Sequence, residues 1–300
     1  MTPNVWQNLK VIGRKVIRAK VSGFCMGVRR AVDIARLELK RSGKVYAFGP
    51  LIHNQQALDD LKRRGLETLN EAALPDDLNG AVVIIRAHGA GPQTEEELHK
   101  RGAFIVDATC PKVKMSQMKA AAFSNAGYWL FLAGEETHAE ISGIRGCFEA
   151  GGNDCLHIVN NCADAEKAAA KLFSQAPDAK TALIGQTTIS SEEYQSIGQA
   201  ITRYFPNTEI VQTICAATKE RQDSLKALLE KVDAVIIAGG KASANTRRLY
   251  DIAAASGKPS ILAESANDIP PEFLKYKTIG LSAGASTPDF VIEEIEGACV

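Results

Sequence analysis

The chain has no long apolar run: the longest, residues 128–133 and 234–238, fall far short of the ~20 residues that cross a bilayer as a helix. It also has no net charge. Thirty-five Lys and Arg stand against 35 Asp and Glu, so bulk charge selects neither nucleic acid nor an anionic membrane, and an anionic ligand must be caught by local groups. Residues 1–15 mix polar and apolar types with no apolar stretch leading to a cleavage site, so no secretory leader is expected and a cytoplasmic protein is. Pro/Gly/Ser-rich linkers are missing, so the parts should pack closely. The seven cysteines form no compact ferredoxin-type cluster, and an odd number in a 300-residue chain does not read as a disulfide framework. That usage fits a reducing compartment with thiols kept as ligands or nucleophiles.

What is present is a unit that occurs three times: a short apolar strand, a cysteine, then a helical pattern. Residues 16–21 lead through Ser22-Gly23-Phe24 to Cys25, residues 103–106 through Asp107-Ala108-Thr109 to Cys110-Pro111, and residues 209–214 directly to Cys215. Ligands in α/β sheets bind at the carboxyl ends of strands, so each cysteine sits where chemistry is expected. The helices begin at or just after the cysteines, where free backbone N–H groups suit a negatively charged sulfur. Eleven strands alternating with helices predict an α/β protein. Cysteine spacings of 85 and 105 residues point to three similar modules facing a common centre, in pseudo-threefold arrangement. The expected boundaries are 27–110, 111–211, and a discontinuous third module of 15–26 with 212–296, residues 1–14 being an N-terminal extension.

Three thiolates suit zinc or an iron–sulfur cluster. A structural zinc needs a fourth ligand, whereas a four-iron cluster on three cysteines leaves one iron open to substrate. Cys147, Cys155 and Cys162 form a competing set that lacks the strand context. Three of the five histidines also lie at strand exits: His53, His88 and His138. His99 and His157 have no such companions. Gln186-Thr187-Thr188, Ser243-Ala244-Asn245 and Ala285-Ser286-Thr287 follow further strands, where small polar residues either cap helices or bind anions. Glu140, two residues beyond His138, is placed to act as a proton donor.

Taken together, Gly23-Phe24-Cys25-Met26-Gly27-Val28, Gly49-Pro50-Leu51-Ile52-His53-Asn54, Arg86-Ala87-His88-Gly89, Asp107-Ala108-Thr109-Cys110-Pro111, Gln186-Thr187-Thr188, Ile214-Cys215 and Ala283-Gly284-Ala285-Ser286 resemble the LytB-type 4-hydroxy-3-methylbut-2-enyl diphosphate reductases. The motifs run in the family's order over residues 15–296. The resemblance implies three α/β modules around a central 4Fe-4S cluster held by Cys25, Cys110 and Cys215, its fourth iron open to substrate. It implies reductive removal of an allylic hydroxyl, giving isopentenyl and dimethylallyl diphosphates, with electrons from a ferredoxin or flavodoxin. His53, His88, Ser243, Asn245 and Ser286 would hold the diphosphate, His138 would support it and the proton path, Thr187 would orient the hydroxyl, and Glu140 would supply the proton. Two positions depart from the family pattern: Ala244 replaces a serine, removing a hydrogen bond to charge worth ~1.5–3 kcal/mol, and Ala139 replaces a proline. A paralogous iron–sulfur reductase or dehydratase with another hydroxylated substrate, and a non-catalytic cluster protein for electron transfer or sensing, stay open at this point.

Overall fold

The computed structural model describes residues 14–52, 54–241 and 243–300, so the extension up to residue 13 and His53 lie outside it. Two compact units are distinguished by their internal contacts. Of the described residues, one contains those of 14–28, 52–60 and 216–300; the other contains residues 29–51 and 61–215.

The second unit carries two four-stranded sheets. In the first sheet, β2 (Val45–Phe48), β3 (Leu66–Leu69), β4 (Val82–Ile85) and β5 (Phe104–Asp107) lie in the order β3-β2-β4-β5. In the second, β6 (Trp129–Ala133), β7 (Leu156–Val159), β8 (Thr181–Gly185) and β9 (Glu209–Ile210) lie in the order β7-β6-β8-β9. The other unit builds its sheet from β1 (Lys15–Arg18), β10 (Ala234–Ala238), β11 (Ser260–Ala263) and β12 (Thr278–Ala283), in the order β1-β12-β10-β11. Every pairing is parallel. The helices between them are α1 (Met26–Arg41), α2 (Gln55–Arg63), α3 (Pro92–Lys100), α4 (Pro111–Asn125), α5 (Ala139–Glu149), α6 (Cys162–Gln175), α7 (Ser191–Thr202), α8 (Ala216–Leu229), α9 (Ala244–Ala255) and α10 (Asp289–Cys299).

Parallel strands covered on both faces read as continuous apolar runs, and β4, β6 and β10 do. Their side chains still divide by alternation. In β10, Ala234, Ile236 and Ala238 enter one core with Ile292 and Ile295 of α10, while Val235 and Ile237 enter another with Leu225 and Leu228 of α8. In β6, Phe131 and Ala133 pack with Ile197 and Ile201 of α7, while Leu130 and Leu132 pack with Ile144 and Phe148 of α5. The strand missed by sequence pattern is β3, whose two middle residues, Glu67 and Thr68, are both exposed.

The three sheets share one local plan. In each, a cysteine follows an edge strand: β1, β5 or β9. Its backbone N–H donates to the carbonyl two residues past the end of the neighbouring strand: Cys25 to Ala285 after β12, Cys110 to Ala87 after β4, Cys215 to Thr187 after β8, each at 2.9 Å. In each, the strand beyond that neighbour ends on a glycine with positive φ: Gly49 at 66°, Gly134 at 152° and Gly239 at 139°. A polar cap for the next helix follows a few residues later: Asn54 to Ala57 N, His138 to Glu140 N, and Ser243 to Thr246 N. In the first-described unit the edge strand comes from the start of the chain, taking the position that β5 and β9 reach through α3 and α7.

Only glycine fits at these strand ends. A Cβ on Gly134 would stand 2.7 Å from both Ile141 Cδ1 and Gln186 Oε1. Gly134→Ala should therefore lower unfolding stability by about 1–3 kcal/mol in urea titrations, whereas Gly43→Ala, with open space around it, should leave it nearly unchanged.

Candidate active site

Each predicted ligand cysteine stands one residue before a helix: Cys25 before α1, Cys110 as the N-cap of α4, and Cys215 before α8. None of the three is in a disulfide, and all three are half-buried. The sulfur of Cys25 accepts the Val28 N–H at 3.5 Å, satisfying one of the donors left open at a helix start. Two arginines that sequence pattern did not single out fix the loops ahead of these cysteines. Arg30 of α1 donates to the carbonyls of Thr109 and Asp107, both at 3.1 Å, just before Cys110. Arg221 of α8, buried, donates to the Gly23 carbonyl at 2.7 Å, just before Cys25.

Within the unit holding β2–β9, the candidate residues form one connected line. Ala87, whose carbonyl holds Cys110, precedes His88. The His88 ring meets that of His138 edge-on, with centroids 5.4 Å apart. His138 caps α5 by accepting the Glu140 N–H on Nδ1 at 3.2 Å, so its proton sits on Nε2 and can be donated. The Glu140 carboxylate accepts Thr187 N at 2.8 Å and Thr187 Oγ1 at 2.9 Å. The Thr187 carbonyl in turn holds Cys215. A buried carboxyl, a hydroxyl and two cysteines are thus linked through backbone and side-chain contacts.

Glu140 is 1% exposed, and burial pushes its carboxyl from 4.5 up to about 7, against the opposing effect of the two Thr187 hydrogen bonds. A buried carboxyl that keeps its proton near neutrality is what a general acid requires. The loop carrying His88 is braced from both sides. Arg86, buried, forms a two-pronged pair with Glu71, and the Gly49 backbone lies against that pair. Gln117, buried in α4, donates to the Ala90 carbonyl at 3.1 Å and lies against Gly89. Neither brace carries a sequence signal beyond its position near the motifs.

In the unit holding β1 and β10–β12, Ser243, Asn245 and Ser286 sit at the ends of the adjacent strands β10 and β12. Ser243 caps α9, and Ser286 is buried. Both polar atoms of the Asn245 side chain are buried without a hydrogen-bond partner among the described residues. An amide left so costs ~1–3 kcal/mol, so it fits a site that completes its bonding with a polar ligand. Cys25 joins this cluster through the Ala285 carbonyl, one residue before Ser286.

The remaining candidates are structural. His157 stacks on Trp129 at 5.5 Å, and burial lowers its pKa. Asp107 accepts from Thr109 N and pairs with Lys114, both at 2.8 Å. Burial raises the Cys147 thiol to about 11, and Cys162 Sγ donates to the Ser196 carbonyl. Among the described residues, no three or more His, Cys, Asp or Glu are grouped to hold a single metal ion. A four-iron cluster is ligated at separate corners, so its thiolates stand further apart than those on one ion. Three half-buried cysteines outside any disulfide, each at a helix start, fit that donor chemistry.

Two outcomes follow. Glu140 binds its proton more tightly folded than unfolded, so its stabilisation is complete below pH 4.5 and is lost as pH rises through about 7. Urea titrations should show the wild type losing up to about 3 kcal/mol between pH 4 and pH 8 from this group, with Glu140→Gln lacking that component. Ala139 opens α5 behind a residue with extended backbone, His138 at φ −75° and ψ 136°, which is the setting a first-turn proline requires. Ala139→Pro should raise the melting temperature, by ~0.4–1 kcal/mol in stability.

Comparison with known proteins places this geometry. The family model described as LytB protein matches residues 16–299. A 4-hydroxy-3-methylbut-2-enyl diphosphate reductase of Treponema denticola is 42% identical over 289 residues, covering 94% of this chain and 97% of that protein. The enzyme of the same name from Aquifex aeolicus is 38% identical, covering 94% of each. A solved structure of (E)-4-hydroxy-3-methyl-but-2-enyl diphosphate reductase superposes with a TM-score of 0.76 at 37% identity, over 95% of this chain and 98% of that one. The Plasmodium falciparum reductase superposes with a TM-score of 0.82 at 27% identity, over 95% and 87%. A match over nearly the whole chain, with three four-stranded parallel sheets in common with a solved fold, shows that the chain belongs to the LytB family.

Proposed function

We propose that this chain is a 4-hydroxy-3-methylbut-2-enyl diphosphate reductase, the terminal enzyme of the non-mevalonate isoprenoid route, as its relatives are named. The observation that carries the reading at residue level is the buried Glu140–Thr187 pair, bonded through one residue's backbone to Cys215. The reaction breaks the allylic C–O bond, forms a C–H bond and releases water, consuming two electrons and two protons.

Cys25, Cys110 and Cys215 would hold a 4Fe-4S cluster, which supplies single electrons and Lewis acidity when bound. Glu140, protonated near neutrality, delivers a proton to the departing oxygen. Thr187 Oγ1, 2.9 Å from Glu140 Oε2, orients that oxygen and can pass the proton on by reversing its own hydrogen bond. His138 donates from Nε2, and with His88 it offers two imidazole donors to phosphate oxygens. Asn245, Ser243 and Ser286 supply further phosphate donors, with His53 added from the sequence motif.

The test is turnover. Anaerobically reconstituted protein, supplied with dithionite and methyl viologen, should convert the allylic diphosphate to isopentenyl and dimethylallyl diphosphates. Glu140→Gln should lose at least ~100-fold in kcat with the cluster's visible absorption intact. Turnover of the wild type on other allylic alcohols but not on this diphosphate would contradict the proposal.

A further inference from the structure

The bond that places Cys215 lies beyond the end of a very short strand. β9 has two residues, pairing Leu183 with Ile210, and the last backbone bond of the pairing runs from Val211 N to the Leu183 carbonyl at 3.0 Å. A continuing parallel ladder would next join Gly185 N to the Val211 carbonyl. Instead the two groups part. The Val211 carbonyl accepts the Tyr194 hydroxyl at 2.6 Å, and Gly185 N donates to Thr213 Oγ1 at 3.0 Å. Beyond them Cys215 N meets the Thr187 carbonyl, which is the bond that an uninterrupted ladder would have formed at this register. The register therefore survives a gap that two side-chain hydroxyls fill.

Tyr194 is brought to this gap by α7, which buries it in the core shared with Phe131, Leu183 and Ile197. Its ring lies against the last residue of β8: a Cβ on Gly185 would stand 2.6 Å from Tyr194 Cε2. A phenol buried in this way needs a partner for its O–H. It has the Val211 carbonyl and, at 3.1 Å, the Leu183 carbonyl, so one hydroxyl joins β8 to the departing chain. Burial pushes this hydroxyl up to about 12, so it remains a donor across the neutral range. A phenylalanine would fill the same space, so what the hydroxyl adds is the tie to the Cys215 segment. Thr187, where that segment is finally fastened, is also the partner of Glu140.

We propose that Tyr194 is a positioning residue for Cys215: its hydroxyl carries the β8–β9 register across the gap and so fixes the cysteine against Thr187. The part that concerns the cluster rests on the reductase reading, and the test separates the two. Tyr194→Phe deletes the hydroxyl and keeps the ring. Thr181→Val is the matched control, because it deletes a buried hydroxyl, bonded to Thr208 Oγ1 at 2.7 Å, at the opposite end of the same strand pairing. In cluster-free protein, iodoacetamide should alkylate Cys215 about fivefold faster in Tyr194→Phe than in wild type, the weight of one hydrogen bond, with Cys110 in the same molecules unchanged. In anaerobically loaded protein, Tyr194→Phe should release iron to a ferrous chelator about fivefold faster and alter the electron paramagnetic resonance spectrum of the reduced cluster. Thr181→Val should match wild type in all of these. Unchanged Cys215 alkylation or unchanged iron release in Tyr194→Phe overturns the proposal. So does an equal rise in Thr181→Val, which would mark a general loosening of the sheet. If wild type takes up no cluster, the reductase reading fails instead, and the alkylation rates alone decide the role of Tyr194.

Discussion

The placement of the candidate residues depends on one backbone contact made in each of the three sheets. At the end of each edge strand the chain turns so that a cysteine gives its N–H to the carbonyl two residues beyond the neighbouring strand. This leaves the sulfur at the mouth of a helix start and ties it to the residue that follows or carries that carbonyl. Beside Cys110 that is His88, beside Cys215 it is Thr187, and beside Cys25 it is Ser286. Thiol and polar group are thus placed by the same hydrogen bond, so the two cannot drift apart without breaking the sheet edge.

The same plan explains where the buried carboxyl of Glu140 sits. A glycine with positive φ ends the strand two away from each cysteine strand, and the chain then climbs to a helix cap. At one of the three places that cap is His138, and the helix behind it buries Glu140 against the neighbouring loop. Burial, rather than a nearby charge, sets the Glu140 proton affinity. The cost of placing a carboxyl there is offset by two donors from one residue, Thr187.

Much of this was legible in the sequence because the repeat is strong. Strand, cysteine and helix recur with apolar periods that alternation detects, and the motif residues lie at strand exits, where loops are short. β3 was not legible, since a four-residue edge strand with both middle side chains in solvent has neither alternation nor an apolar run. Arg30, Arg221, Gln117 and the Arg86–Glu71 pair were not legible as parts of the site either. Their partners are backbone carbonyls and a carboxylate that only folding brings near, and an arginine in an amphipathic helix looks like any solvated arginine until its carbonyl partners are seen. His157 shows the opposite case: a lone histidine at a strand start proved to be packed between aromatic rings.

The central claim is that three cysteines, one per sheet, share one cluster and leave one iron without a protein thiolate. Mössbauer spectroscopy of iron-57-loaded protein tests this most directly. The account predicts one iron distinct from the others, whose signal alone moves when the allylic diphosphate is added, and loss of the cluster in Cys25→Ser, Cys110→Ser or Cys215→Ser. Four equivalent irons indifferent to the diphosphate, or a cluster that survives all three substitutions, would contradict it.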